Sequence, residues 1–342
     1  MPLISLRDNL TGAVVDLLRN ERMACVHTQD GLVTVINALA LYREEGRALF
    51  PEVFILDNLP LALSALPHTE HVIIGSGPRD AATMAKGLKQ CAPLAQGGWA
   101  VFIHREPAGF SYGLIRCGVH NLSLPLSNLL IENGDPQIPA LMARQLAENV
   151  VEVRGVGGAS LLVHFGASRS THVSPADALK ALVACVVVKV DNSLKEQTSA
   201  FYERLFSRAL KASHGTLVAV QPANRRVIPP ALRDGVILRA PIRIVEPVSE
   251  LLEHEDCLAN TRLQAAGALI LGMLLSDGIT VFGSDGSVRA YNIFIKHPRS
   301  RGQQAQPSGG ARRRTFDTLC SMIGKGLDCV FMQSQDGAVD FK

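Results

Sequence analysis

Apolar positions recur along this chain in two rhythms, one of short runs and one of helical spacing. VFILD (53–57), HVIIG (71–75) and WAVFIH (99–104) read as strands, and DAATMAKGLKQC (80–91) reads as a helix between two of them. FSYGLIRCG (110–118) continues as a strand, and VVEVRGVGGASLLVHFG (150–166) as strands with a hairpin. Strands alternating with helices predict an α/β domain.

Residues 168–178, SRSTHVSPADA, are polar and contain proline, which suits a link. LVACVVVKV (182–190) reads as a strand. LKEQTSAFYERLFSRALKA (194–212) is an amphipathic helix, with Leu194, Phe201, Leu205 and Leu210 near one stripe. GTLVAVQ and GVILRAPIRIV follow as strands, and VSELLEHEDCLANTRLQAAGALILGMLLS as two helices. DGITVFGSDGSVRAYNIFI is a hairpin turning at Ser284-Asp285-Gly286. A loop rich in Gly, Gln, Pro and Arg (297–311) then leads to a helix from about Arg314 to Ile323, and LDCVFMQS and DGAVDFK close the chain as strands.

A length of 342 residues predicts two domains, since single cores stop growing near ~250 residues. The division expected is 1–170 and 180–342. A net charge of +3 does not mark the chain as a nucleic-acid or membrane binder. Seven cysteines without any CxxC spacing argue against both zinc and a disulfide framework, and point to a reducing cytoplasm. The first residues lack a signal-peptide pattern. The longest uncharged apolar run, 265–275, is shorter than the ~20 residues of a membrane span and reads as a buried core helix.

Three features toward the C-terminus carry candidate chemistry. Ser276-Asp277-Gly278 joins an apolar helix directly to a strand, so the acid is held between rigid elements; Asp-Gly also serves as a plain turn. Gly309-Gly310-Ala311-Arg312-Arg313-Arg314 precedes a helix. Close backbone approach, a helix N-terminus and forked guanidinium groups would together cradle a triphosphate. The same run also reads as a solvated basic loop, or with Arg299 and Arg301 as a nucleic-acid contact. Ser334-Gln335-Asp336-Gly337 offers a hydroxyl and an acid for phosphate and metal, or a hairpin turn. Gly75-Ser76-Gly77 after a strand reads as a plain βα turn. His27, His104, His164 and His214 show no ligand spacing.

The order of these elements resembles the diadenylate cyclase (DisA-N) family over about residues 190–342. That family carries DGA, GTRHR and SEE motifs. Asp277-Gly278-Ile279, Gly310-Ala311-Arg312-Arg313-Arg314 and Ser334-Gln335-Asp336 stand in their places. Ile279, Ala311, Arg313, Gln335 and Asp336 depart from the pattern. The resemblance implies a mixed central sheet flanked by helices. It also implies condensation of two ATP into cyclic di-AMP by a nucleotidyltransferase that makes a nucleotide second messenger, with a divalent metal (Mg2+ or Mn2+). Asp277, Arg312 and Arg314 would be catalytic. Gly278, Gly310, Ala311, Arg313 and Ser334 would bind nucleotide, and Asp277 with Asp336 would hold the metal. Two such domains would meet face to face, as a homodimer or higher assembly. The first half resembles the DACNV-type sensor fused ahead of such domains, on CAPLAQGGWAVFIH and FSYGLIR. The alternative is a degenerate domain of the same fold that senses ATP or a cyclic dinucleotide.

Overall fold

The computed structural model describes residues 6–118, 125–147, 149–165, 174–213, 215–225, 227–254, 257–295, 310–334 and 337–342. Contacts divide the described residues into two compact units, 6–165 and 174–342, each mixed α/β with one large mixed sheet.

The first unit contains α1 (Leu6–Asn20), α2 (Val26–Leu39), a small hairpin of β1 (Arg43–Glu44) and β2 (Arg47–Ala48), β3 (Val53–Leu56), α3 (Leu59–Ser64), β4 (Glu70–Gly77) and α4 (Ala81–Cys91). It continues with β5 (Ala100–Arg105), β6 (Phe110–Arg116), β7 (Ala140–Ala147), β8 (Val150–Gly155) and β9 (Ser160–His164). The seven-stranded sheet runs β4-β6-β5-β3-β7-β8-β9; β3 and β5 pair in parallel and the other pairs are antiparallel. All four residues of β3 are buried because both faces are covered. Val53 and Ile55 join a core with α1, α2 and α4, and Phe54 and Leu56 join a second core with α3. Asp80 starts α4 by accepting the Thr83 N–H at 2.7 Å. Gly75-Ser76-Gly77 lies within β4 rather than in a turn, which comes after it.

The second unit contains α5 (Pro175–Val186), α6 (Asn192–Ala212), β10 (Thr216–Gln221), β11 (Val236–Arg243), α7 (Val245–His254), α8 (Cys257–Leu275), β12 (Ile279–Gly283), β13 (Ser287–Ile293), α9 (Ala311–Cys320), β14 (Cys329–Gln333) and β15 (Val339–Phe341). Its sheet runs β11-β13-β12-β10-β14-β15, with β10 and β12 parallel. Val218, Val220, Phe282 and Phe331 face a core shared with α5 to α8. Leu217, Ala219, Val281 and Val330 face Phe316 and Leu319 of α9.

Three expectations change here. The strand expected at 182–190 is the end of helix α5, up to Val186, followed by a turn at 187–190. Pro175 presets its first turn, and buried Ala178, Leu179, Leu182, Val183 and Val186 repeat at helical spacing beneath a β-branched composition. Helix α8 is not buried all round. Leu263, Ile270, Met273 and Leu274 are in the core, whereas Leu258, Leu269 and Leu275 are exposed. Residues 258–275 are long and apolar enough to cross a membrane by length and composition only, and 33% of that window is buried. Helix α9 begins at Ala311, three residues before the expected start, with Gly310 as its N-cap, so the arginines lie within its first turn.

Candidate nucleotide site at one end of the second sheet

The register of the sheet collects the candidate residues. Leu217 of β10 pairs with Ile279 of β12, and Thr216 of β10 pairs with Gln333 of β14. The residues before β10 and β12 and after β14 therefore share one end of the sheet: Gly215, Asp277-Gly278 and Ser334. The first turn of α9 reaches the same end, because the Arg312 guanidinium lies against Gly215, at the place a Cβ would take.

Asp277 is exposed on a tight junction. Its Oδ1 accepts the Gly278 N–H at 2.9 Å, and its carbonyl accepts Asn292 Nδ2 at 2.9 Å. No cation pairs with this carboxylate among the described residues. Gly278 has φ +91°, and a Cβ there would stand 2.8 Å from the Ile293 carbonyl oxygen, so only glycine fits without strain. Asn292 also adopts a positive φ of 54°, which asparagine tolerates better than most residues. The sequence reading passed over Asn292, and its amide type is the one clue it offered.

Successive residues on a helix point about 100° apart, so the three arginine side chains leave the first turn in different directions. Arg312 turns to Gly215. Arg313 turns away from it, pairing with Asp340 of β15 and with Asp317 at 3.2 Å, with its guanidinium 5.4 Å from the Phe316 ring centre. Arg314 is exposed, its N–H donating to the Gly310 carbonyl at 3.3 Å, and its guanidinium has no partner among the described residues. Gly310 and Ala311 present the helix N-terminus, which favours anions. Ser334 closes the turn into β15, its Oγ donating to the Ala338 carbonyl at 2.9 Å. Asp336, Gln335, Gly309, Arg299 and Arg301 lie outside the described residues.

A cavity of about 400 Å³ opens beside this end, lined by Pro230, Ala231, Arg233, Asp234, Phe294 and Ile295. It adjoins the end of β13, where the Phe294 N–H donates to the Asp234 carbonyl at 2.9 Å. No three metal-ligating side chains gather among the described residues. Of the two candidate metal ligands, Asp277 lies among the described residues and Asp336 does not. In comparisons with known proteins, no family model, no curated protein and no solved structure matches the chain.

Proposed function

We propose that the second unit is a diadenylate cyclase-type domain that condenses two ATP into cyclic di-AMP, and that the first unit regulates it as a sensor. The observation that carries this reading is the gathering of Asp277, Gly278, Arg312 and Ser334 at one sheet end beside the N-terminus of α9. In each half of the reaction a 3′-hydroxyl oxygen bonds to the α-phosphorus of the other ATP. The bond from that phosphorus to the bridging oxygen breaks, and pyrophosphate leaves. Asp277 would take the hydroxyl proton, and Arg312 with Arg314 would hold phosphate oxygens. Gly278 lets the nucleotide approach the backbone. A divalent ion bound at Asp277 would neutralise phosphate charge, with Asp336 as its second ligand by the family resemblance. Arg313 fastens α9 to β15 instead.

One such constellation serves one ATP, and the product has two equivalent bonds. Two chains would therefore meet about a two-fold axis, each patch serving its partner. The engagement of Arg313 by two carboxylates, together with an Ala at 311, favours a second reading: a domain that binds nucleotide without turnover. Product analysis with ATP and Mg2+ or Mn2+ separates the two. Cyclic dinucleotide should form, its rate per chain should rise with protein concentration, and Asp277→Asn should abolish it while nucleotide still binds. Tight ATP binding without product at any concentration would select the sensor reading instead.

A further inference from the structure

We infer that the first unit carries a binding site for a small oxyanion group, a carboxylate or a phosphate, at the C-terminal end of β3 and β5, formed by Arg79, Arg105 and the first turn of α2. This site stands apart from the reading of the second unit and uses none of its residues.

Strand β4 is antiparallel to β6, as β5 is, so β3, β4 and β5 all run the same way. Helix α4 follows β4 and therefore starts at the end where β3 and β5 finish. Helix α2 starts at this end too. The Arg105 Nη1 donates to the Met23 carbonyl at 3.1 Å, two residues before the N-cap Cys25. Gly31 of α2 packs on Met84 of α4, so the two helices lie side by side with their positive ends together. The space beyond the carboxyl ends of strands is where open α/β sheets take ligands.

The side chains at this end are short of acceptors. Arg105 is 8% exposed and pairs with Asp57 at 3.0 Å through Nη1, yet its buried Nε has no hydrogen-bond partner. The buried Nε of Arg79 has none either, and the Arg79 guanidinium lies 6.0 Å from the Phe110 ring centre, beside Arg105 on the sheet. The hydroxyl of Thr28, fully buried in the first turn of α2, is engaged by the Cys25 thiol. Buried donors are nearly always satisfied, and two unsatisfied guanidinium Nε groups in one neighbourhood point to a missing acceptor.

The charge balance agrees. Asp57 is one carboxylate against two guanidinium groups. Asp80 is committed to capping α4, and Glu106 faces His104 at 3.4 Å. Helix α2 begins on a cysteine without any side-chain cap, so its first N–H groups lack the oxygen a Ser or Asp would give them. Burial pushes the Cys25 thiol up, but the Thr28 N–H and hydroxyl, the His27 N–H and the Arg105 charge outweigh that and leave it below the usual thiol range. The same features that lower a thiol stabilise a bound anion.

Cys25 reports occupancy. The experiment follows alkylation of each cysteine of the full chain by iodoacetamide, read by peptide mass spectrometry, at constant ionic strength with chloride as the reference salt. Inorganic phosphate and malonate are the two probes. Either should slow Cys25 alkylation saturably, by about tenfold, with Cys320 as the internal control. Protection by phosphate alone assigns a phosphoryl ligand, by malonate alone a carboxylate, and by both the shared oxyanion chemistry. Arg79→Gln should raise the concentration for half-protection about fivefold. Arg105→Lys keeps the charge for Asp57 but removes the Nε edge, and should weaken protection similarly. Arg314→Ala should leave the Cys25 curve in place, which separates this test from that of the nucleotide reading. No saturable protection by either anion, or the same curve in Arg79→Gln and the native chain, overturns the site.

Discussion

The two ends of the second unit's sheet use arginine in opposite ways. At the end where β10 and β12 finish, Arg289 is 8% exposed and its guanidinium is fully engaged. It donates to the carbonyls of Pro222, Ala223 and Arg225, to Gln221 Oε1 and to Ser287 Oγ, and pairs with Asp285 at 3.3 Å. At the end where these strands begin, Arg314 stands exposed. An arginine surrounded by acceptors is part of the fold. One presented at a helix N-terminus with no acceptor of its own can be used on a ligand. Arg313 shows that neighbours in sequence can fall on opposite sides of this division.

Separate measurements of stability and binding would sharpen that contrast. The largest effect is expected from Arg289→Ala. Removing it leaves Asp285 and several carbonyls without their donor, and should cost about 3–5 kcal/mol of stability, the usual penalty for breaking a buried pair. Chemical denaturation would show it as a lower midpoint. A midpoint within error of the native chain would mean that the network is ornamental.

Next come the arginines at the other end. Arg312→Ala and Arg314→Ala should each weaken ATP binding by about 1.5–3 kcal/mol, the range for a charged hydrogen bond, with the denaturation midpoint nearly unchanged for Arg314. Arg313→Ala should do the reverse, lowering stability by under about 1 kcal/mol, since its ion pairs are partly exposed, and sparing affinity. Equal losses of affinity at all three positions, by calorimetry, would erase the distinction between the three directions of the first turn.

The smallest effect is one of pH. Burial pushes the Asp285 carboxyl up, but Ser287 and Arg289 more than reverse it, so it sits below the ordinary carboxylate range. A folded value below the unfolded one means the proton is bound more readily by the unfolded chain. Its contribution is therefore full above the unfolded carboxylate pKa of about 4 and is lost as pH falls through the lower folded value. Asp285→Asn should lower the neutral plateau toward the acid value and so flatten the acid side of the stability profile. An unchanged acid slope would show that Asp285 titrates alike in both states.

How much of this could be read beforehand depended on whether the signal was local. Strands β10, β12, β13 and β14 were legible because alternation and the Ser284-Asp285-Gly286 turn are short-range patterns. Asp277-Gly278 was legible as a helix-to-strand junction. The strand expected at 182–190 failed because valines there favour β structure locally, while the burial that decides the matter comes from α6 and the sheet. The arginine run was seen as one cluster, because spacing along the chain carries no direction until the helix start at Gly310 is known. Arg289 resembled any polar residue of a strand, since its acceptors come from a loop more than sixty residues earlier. Cys25, Arg79 and Arg105 are likewise far apart in sequence, and only the common direction of β4 and β5, with the Arg105–Met23 hydrogen bond, brings them to one end.

Gly215 has a further consequence. The position of the Arg312 charge is set partly by an absence, since the guanidinium lies where a methyl group would be. A single carbon added at 215 would act as a wedge, displacing the cation without altering the net charge of the chain or any ionisable group.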